Sequence, residues 1–209
     1  MKSFLICIAL TLPLTSVSAE EWKQLFDGKT LNGWMSWRTK KPLKEGGWQV
    51  KDGTLHHSKR GGDIYTAEAF ENFELELEWK TTGNSGIFIR VDTNAKGAIY
   101  SLAPEMQIMR RNAGQLYALY PPTKKPTIHA DGWNKVKIRL VNGHGTHWLN
   151  GQKLYEYQIG SQDWNKRVAK SKFKKNIKHF GMKAKGHIGF QDHGASVSFR
   201  NIRIRTIKE

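Results

Sequence analysis

Apolar and polar residues alternate with a period of two through much of this chain. Phe73-Glu74-Leu75-Glu76-Leu77-Glu78-Trp79 does so without a break, and Lys135-Val136-Lys137-Ile138-Arg139-Leu140-Val141 repeats the pattern. Successive side chains of a strand point to opposite faces, so each run predicts a strand with one buried and one charged face. Ser85-Gly86-Ile87-Phe88-Ile89-Arg90-Val91 alternates more weakly and reads as another strand, as does 100–108. Asp52-Gly53 and Asn150-Gly151 each lie between two such runs and predict tight hairpins. The second signal is the stronger, because both of its central residues accept positive φ. Runs 187–190 and 197–204 make a last pair across Gln191-Asp192-His193-Gly194. No long amphipathic helix competes, although 163–175 and 67–71 have room for a turn or two. Many short strands with Gly and Asn punctuation predict an all-β sandwich.

The N-terminus follows a different pattern. Met1-Lys2, an apolar run over 4–14 and Val17-Ser18-Ala19 have the form of an export signal, with cleavage expected after Ala19. The run is too short for a membrane anchor. Residues 1–19 are therefore read as signal peptide and 20–209 as one β-sandwich domain, periplasmic or secreted. The one cysteine, Cys7, falls inside the signal. The mature chain then has neither disulfides nor thiolate chemistry, and its stability rests on its core.

Charge adds a second constraint. The chain holds 34 Lys and Arg against 18 Asp and Glu, a formal net charge of +16. Such a surface attracts anionic polymers or membrane surfaces. A nucleic-acid partner is not expected, because the chain carries an export signal and no nucleic-acid motif. Residues 161–185 hold nine Lys or Arg against one acid, Asp163. This stretch is either a solvated loop or a basic lid beside a binding site.

Several side chains are candidates for chemistry. Glu74, Glu76 and Glu78 share a strand face and resemble the paired carboxylates of sandwich glycosidases, although a polar outer face explains them equally well. On a strand, Glu105 and Gln107 share one face while Met106 and Ile108 pack on the other. Glu105 then stands alone among apolar and amide neighbours, where a carboxyl pKa rises and the group serves as acid or base. Phe88 and Arg90 would share a face, in the manner of a sugar platform. His147, on the strand entering the Asn150 turn, is a structural hydrogen bonder or a ligand-facing group. Asp192-His193 sits in a glycine-bounded turn, which is either only a turn or part of a site. The sequence has no HExxH, CxxC, GxSxG or phosphate-loop spacing. A metal would have to be gathered from distant strands.

These stretches together resemble the 3-keto-disaccharide hydrolase family, also described as 3-keto-glucoside 1,2-lyases and 3-keto-2-hydroxyglucal hydratases. The carriers are Leu25-Phe26-Asp27-Gly28 through Gly33-Trp34, Gly61-Gly62-Asp63-Ile64-Tyr65-Thr66, and Asn84-Ser85-Gly86-Ile87-Phe88-Ile89-Arg90. Glu105-x-Gln107-Ile108, Leu116-Tyr117-Ala118-Leu119-Tyr120-Pro121-Pro122 and His147-Trp148-Leu149-Asn150-Gly151 follow in order. Gly186-His187-Ile188-Gly189-Phe190-Gln191-Asp192-His193-Gly194 closes the series. Phe190 stands where leucine is common, and Ile64-Tyr65 where Leu-Trp is common.

The resemblance implies a concanavalin A-like jelly-roll sandwich of two antiparallel sheets with a sugar-binding concave face. It implies cleavage of 3-keto-glycosides by elimination across C1–C2, with hydration able to follow. The substrate would be a 3-keto sugar made by a separate dehydrogenase. The same resemblance makes Glu105 and His193 the catalytic pair, with base and acid unassigned. It assigns substrate binding to Asp63, Arg90, Gln107, His147, Gln191 and Asp192, in which Asp63 and Asp192 hold the groups that touch the sugar. A divalent metal is one way to stabilise the enolate; no cofactor is otherwise implied. The competing readings are a non-catalytic, lectin-like carbohydrate-binding sandwich and a retaining hydrolase built on the glutamate ladder.

Overall fold

The computed structural model describes residues 18–208. Residues 1–17 of the expected export signal lie outside them, and its last two, Ser18 and Ala19, pair with Lys208 and Ile207. No helix among the described residues is long and apolar enough to cross a membrane.

In chain order the strands are β1 (Ser18–Ala19), β2 (Lys23–Gln24), β3 (Trp34–Ser36), β4 (Trp48–Lys51), β5 (Thr54–His57), β6 (Ile64–Phe70) and β7 (Phe73–Thr81). They continue as β8 (Asn84–Val91), β9 (Glu105–Met109), β10 (Asn134–Val141), β11 (His144–Leu149), β12 (Gln152–Gln158), β13 (Gly186–Phe190) and β14 (Val197–Lys208), with one α-helix, α1 (Gln162–Lys170). They form two antiparallel sheets, a jelly-roll sandwich as expected. The larger runs β12-β11-β10-β7-β14-β5-β4, with β1 and β2 added along β14. The smaller runs β3-β6-β13-β8-β9.

Alternation decides which faces meet. Phe73, Leu75, Leu77 and Trp79 of β7 turn inward beside Val136, Ile138 and Leu140 of β10, and all are buried. From the smaller sheet Ile87, Ile89, Met106, Ile108 and Phe190 meet them in one core. An aromatic column crosses between the sheets. Phe190 of β13 stacks on Phe199 of β14 with centroids 3.9 Å apart, Trp34 covers Phe190 at 4.9 Å, and Trp48 lies 6.2 Å from Phe199. The two tryptophan N–H groups of this column are satisfied locally: Trp34 donates to the Leu25 carbonyl and Trp48 to that of Gly62.

Outward residues of the larger sheet form a charge ladder. Glu74, Glu76 and Glu78 each face an arginine of β14: Arg205, Arg203 and Arg200 respectively. From β10, Lys137 and Arg139 reach Glu74 at 3.3 Å, and Lys135 lies 3.7 Å from Glu76. Burial alone would raise the pKa of Glu74, but hydrogen bonds from Arg205 and Lys137 hold it below the usual carboxylate range. A carboxylate clamped in its charged form cannot act as the general acid that a retaining hydrolase needs. The ladder is structural.

The hairpins form where expected, with Asn150 and Gly151 at φ 49° and 82°, and Asp52 and Gly53 at 49° and 69°. Two local expectations fail. Residues 67–71 are not helical: β6 continues through Phe70, because its pairing with β13 outweighs local propensity. The strand expected over 100–108 begins only at Glu105, after a turn of 3₁₀-helix over Ile99–Ser101. The helical expectation over 163–175 is met by α1. Ser161 caps it by accepting the Trp164 N–H at 3.2 Å, and Trp164 and Val168, one turn apart, fill the buried stripe.

Removing one ring of the aromatic column should cost far more than cutting one rung of the ladder. Phe199→Ala is expected to lose about 3–5 kcal/mol of stability in urea denaturation, through lost burial and a residual cavity. Glu78→Gln should lose less than about 1 kcal/mol, as partly exposed ion pairs do.

Candidate active site

The site lies on the outer face of the smaller sheet. The pairing places Tyr65, Gly189, Phe88 and Glu105 in one row across β6, β13, β8 and β9. In the next row Gln191 donates its backbone N–H to the Gly86 carbonyl, and Gly86 pairs with Gln107. Met106 and Ile108 point the other way, into the core, as the alternation requires. β9 does not expose its free edge: residues 114–117 bond to it through Gly114, Gln115 and Tyr117.

Gly86 makes the central carboxylate possible. A β-carbon there would sit 2.5 Å from Oε1 of Glu105 and 2.8 Å from its Cδ. The absent side chain lets the Glu105 carboxylate lie across the neighbouring strand. The group is buried, 4% exposed, and makes no hydrogen bond or ion pair among the described residues. Burial pushes its pKa up to about 8; Lys172 pulls it down and Asp63 pushes it further up, both by smaller amounts. A cavity of about 200 Å³ opens in front of it, lined by Asn84, Tyr100, Gln107, Tyr117, Lys172, Gln191 and His193. Buried Oε1 of Gln191 also has no partner among the described residues, so it can accept from a hydroxyl of an occupant.

The turn that delivers Gln191 and His193 is fixed by a reciprocal clasp. Gly61 and Gly62 donate their N–H groups to Asp192 Oδ2 at 2.9 and 2.8 Å, while Asp192 donates its own N–H to Asp63 Oδ1 at 2.9 Å. The other Asp192 oxygen accepts from the Gly194 N–H at 2.9 Å and meets His57 Nε2 at 3.0 Å. Burial raises the pKa of Asp192, but the three N–H groups and His57 outweigh it and leave the group below its ordinary value. Asp63 goes the other way: burial, aided by the charge of Asp192, lifts it to about 6. Asp192 thus shapes the turn, and its oxygens are already engaged.

Two expected members lie elsewhere. His147 is fully buried between Tyr157 Oη at 2.9 Å and Tyr155 Oη at 3.2 Å, and burial drives its pKa down to about 3. It is a neutral core histidine whose two ring nitrogens are already bonded. Arg90 does not share a face with Phe88. Between Phe88 and Val91 the strand holds one residue more than its partner β13, and Arg90 takes φ 55°. This bulge turns the guanidinium to the end of the sandwich, where it donates to the Gly181 carbonyl at 2.9 Å.

Other residues join unannounced by sequence. Lys172 comes from the basic stretch just after α1. Phe173 anchors it by stacking on Phe180 at 4.3 Å, and its ammonium lies 4.1 Å from the Tyr117 ring centre and 4.8 Å from that of Tyr100. The stretch is thus a lid edge at this point, and it is held to the core by Trp164, Val168, Phe173 and Phe180, all buried. Tyr117 stood inside a legible motif and Tyr100 inside the strand expected over 100–108, but nothing in Lys172 distinguished it from eight neighbouring cations. Among the described residues no group of three or more His, Cys, Asp or Glu side chains is arranged to hold a metal ion. One carboxyl and one imidazole, set among amides, phenol rings and an ammonium, do not fit a metal site.

Residues 21–205 match the model of the 3-keto-alpha-glucoside-1,2-lyase-like domain. A 3-keto-disaccharide hydrolase of Bacteroides thetaiotaomicron is 32% identical, over 95% of this chain and 82% of that protein. The crystal structure of a candidate glycosyl hydrolase from Parabacteroides distasonis superposes with a TM-score of 0.81 at 30% identity, covering 90% of this chain and 94% of the other. A Bacillus subtilis protein with a galectin-like fold gives 0.58 at 14% identity, over 91% and 96%, a likeness of fold alone.

Burying Glu105 should weaken the fold in a pH-dependent way. Its folded pKa of about 8 lies above the ordinary 4.5. Between those values the folded protein holds a proton that the unfolded chain has released, so stability falls as pH rises through the window. Glu105→Gln should therefore melt at a higher temperature than the parent, by a margin that grows from pH 5 to pH 8 and then levels. A constant margin would mean that the carboxyl is not desolvated.

Proposed function

The chain belongs to the 3-keto-alpha-glucoside-1,2-lyase-like family, and from that premise we propose that it cleaves the glycosidic bond of 3-keto-glycosides by elimination across C1–C2. The observation that carries this reading is Glu105: a buried carboxyl, unpartnered among the described residues, facing a cavity lined by amides, aromatic rings and a cation. A lectin has no need of a carboxyl with raised proton affinity. An elimination does.

A ketone at C3 acidifies the proton on C2. Glu105, as carboxylate, takes that proton, and the electrons of the C–H bond form an enolate with its charge on the C3 oxygen. High proton affinity makes Glu105 a stronger base than an ordinary carboxylate. Lys172 lines the same cavity and its charge acts on Glu105, and the ammonium compensates the enolate oxygen. The enolate then collapses: the C3 carbonyl re-forms, C1 and C2 become doubly bonded, and the bond from C1 to the leaving oxygen breaks. His193, exposed on the cavity lining, gives that oxygen a proton. Water then adds its oxygen at C1 and gives a proton back to His193, and the Glu105 proton returns to C2, which completes a net hydrolysis. Asn84, Gln107 and Gln191 hold the ring hydroxyls, and Gln191 Oε1 is the acceptor that still lacks a donor.

The substrate has to be oxidised at C3 beforehand, which assigns that step to a separate dehydrogenase. The export signal expected in residues 1–19 supports a periplasmic or secreted location for the cleavage.

The first test compares a disaccharide such as trehalose with its 3-keto form. Only the keto form should release product, and cleavage of the unoxidised sugar would overturn the elimination route. Glu105→Gln should lower kcat at least about 100-fold while the protein stays folded. In the parent, kcat/KM for a 3-keto-glycoside whose leaving oxygen needs no proton should rise about tenfold per pH unit below pH 8 and level above it, because the base must be deprotonated and the acid is not called on. A profile with that substrate that does not rise toward pH 8 would overturn Glu105 as the base.

A further inference from the structure

On the outer face of the larger sheet the charge ladder stops before the sheet does. Outward positions of β7 run Glu74, Glu76, Glu78 and then Lys80, so the sign reverses at the last rung. In register, Lys80 faces Ser198 of β14, and Ser198 faces His56 of β5. His56 Nδ1 lies 2.8 Å from Ser198 Oγ. Lys51, at the end of β4, completes the corner.

A groove of about 590 Å³ lies over these residues, nearly three times the volume of the cavity at Glu105. Trp133 forms one wall, with the Lys80 ammonium 5.3 Å and the Arg200 guanidinium 4.1 Å from its ring centre. Hydroxyls of Thr54, Thr82 and Ser196 line much of the rest. Two of the cations are already answered: Arg200 by Glu78 at 2.7 Å, and Arg110 by Asp131 at 2.5 Å. Lys51 and Lys80 have no ion-pair partner among the described residues. The remaining acid, Asp52, is an exposed residue at the turn of the β4–β5 hairpin.

His56 registers the resulting field. Burial lowers its pKa first, and Lys51, His57 and Lys80 lower it further against a smaller opposing pull from Asp52. Beyond the effect of burial, the two ammonium groups without ion-pair partners among the described residues outweigh Asp52, so the field at this half-buried imidazole is net positive.

We propose that this groove is a second, non-catalytic binding site for a carboxylated glycan, which sets an anionic group between Lys51 and Lys80 and its hydroxyls along the serine and threonine lining. Mixed cations and hydroxyls suit a sugar that carries a carboxylate. A phosphate site would instead gather backbone N–H groups, and a lipid site would expose apolar surface. The site does not depend on the catalytic reading. It lies on the other sheet, and none of its lining residues touches the cavity at Glu105.

The test uses the whole protein and four probes: a tetrameric oligogalacturonate, a neutral galactose tetramer, inorganic phosphate and duplex DNA. Calorimetry should show the uronate binding at least about tenfold more tightly than the neutral sugar, and a double variant, Lys51→Ala with Lys80→Ala, should lose at least about tenfold in affinity. Proton NMR of His56 should show its titration midpoint rising as the uronate saturates the protein, and staying put with the neutral sugar. Cleavage of a neutral 3-keto-disaccharide by the double variant should match the parent, which separates failure here from failure of the catalytic reading. No binding of the uronate would overturn the proposal. So would equal binding of phosphate or DNA, which would mean general attraction by a basic surface, and so would an unchanged affinity in the double variant.

Discussion

The reciprocal clasp between Asp192 and the segment 61–63 is the constraint on which the site depends. Asp192 gathers N–H groups from Gly61, Gly62 and Gly194 and meets His57, while its own N–H is held by Asp63. His57 belongs to β5 of the larger sheet, and Asp192 follows β13 of the smaller one. One carboxylate therefore ties the sheets together at the point where the chain leaves Phe190. The chain can approach so closely only because side chains are missing: a β-carbon on Gly47 would fall 2.4 Å from the Cα of Gly61. Just behind the turn, Phe190 is fixed by its stack on Phe199. The turn is rigid at its root, and His193 projects from it at the rim of the cavity.

The same chemical group is used in two opposite ways. On the larger sheet, Glu74 is buried but surrounded by cations, so its charged form is the stable one. On the smaller sheet, Glu105 is buried without such partners, and its neutral form gains. Burial disfavours the charge in both, and only the compensation differs. The first arrangement holds strands together. The second weakens the fold near neutral pH and leaves a carboxyl with raised proton affinity, as the proposed removal of a C2 proton would require. A function is easier to infer from the second, because no structural purpose accounts for it.

Much of this was legible in the chain. Strict alternation at 73–79 and 135–141 marked the two strands whose inner faces became the core, and Asn150-Gly151 marked a hairpin. Alternation also put Glu105 and Gln107 on one face, as observed. The failures come from departures from alternation. Arg90 is turned aside by one extra residue in its strand, and a bulge leaves no compositional mark. His147 read as a structural hydrogen bonder or a ligand-facing group, and only the resemblance put it in the site; Tyr155 and Tyr157 of β12 bond both its nitrogens and decide for the first. Lys172 is 67 positions from Glu105 in a run of similar cations, and only the packing of Phe173 and Tyr117 selects it.

The two recesses lie on different sheets, yet one stretch of chain serves both. Thr81 and Thr82 border the basic groove, and two residues later Asn84 lines the cavity. Between them Gly83 passes so near Ala195 that a β-carbon would come within 2.8 Å of the alanine side chain. Thr82 donates to the carbonyl of Ser196, which also borders the groove and lies just past the turn carrying His193. A glycan held in the groove would therefore start one hairpin away from the cavity mouth. Holding a polymer there raises the concentration of its neighbouring units at the mouth without a new contact to the reacting sugar, and the gain depends on whether the polymer can span the distance. Such an arrangement suits a small cavity. With room for little beyond the reacting ring and its immediate contacts, the cavity draws limited affinity from the substrate, and the proposed second foothold on the opposite sheet would supply what the reacting sugar alone does not.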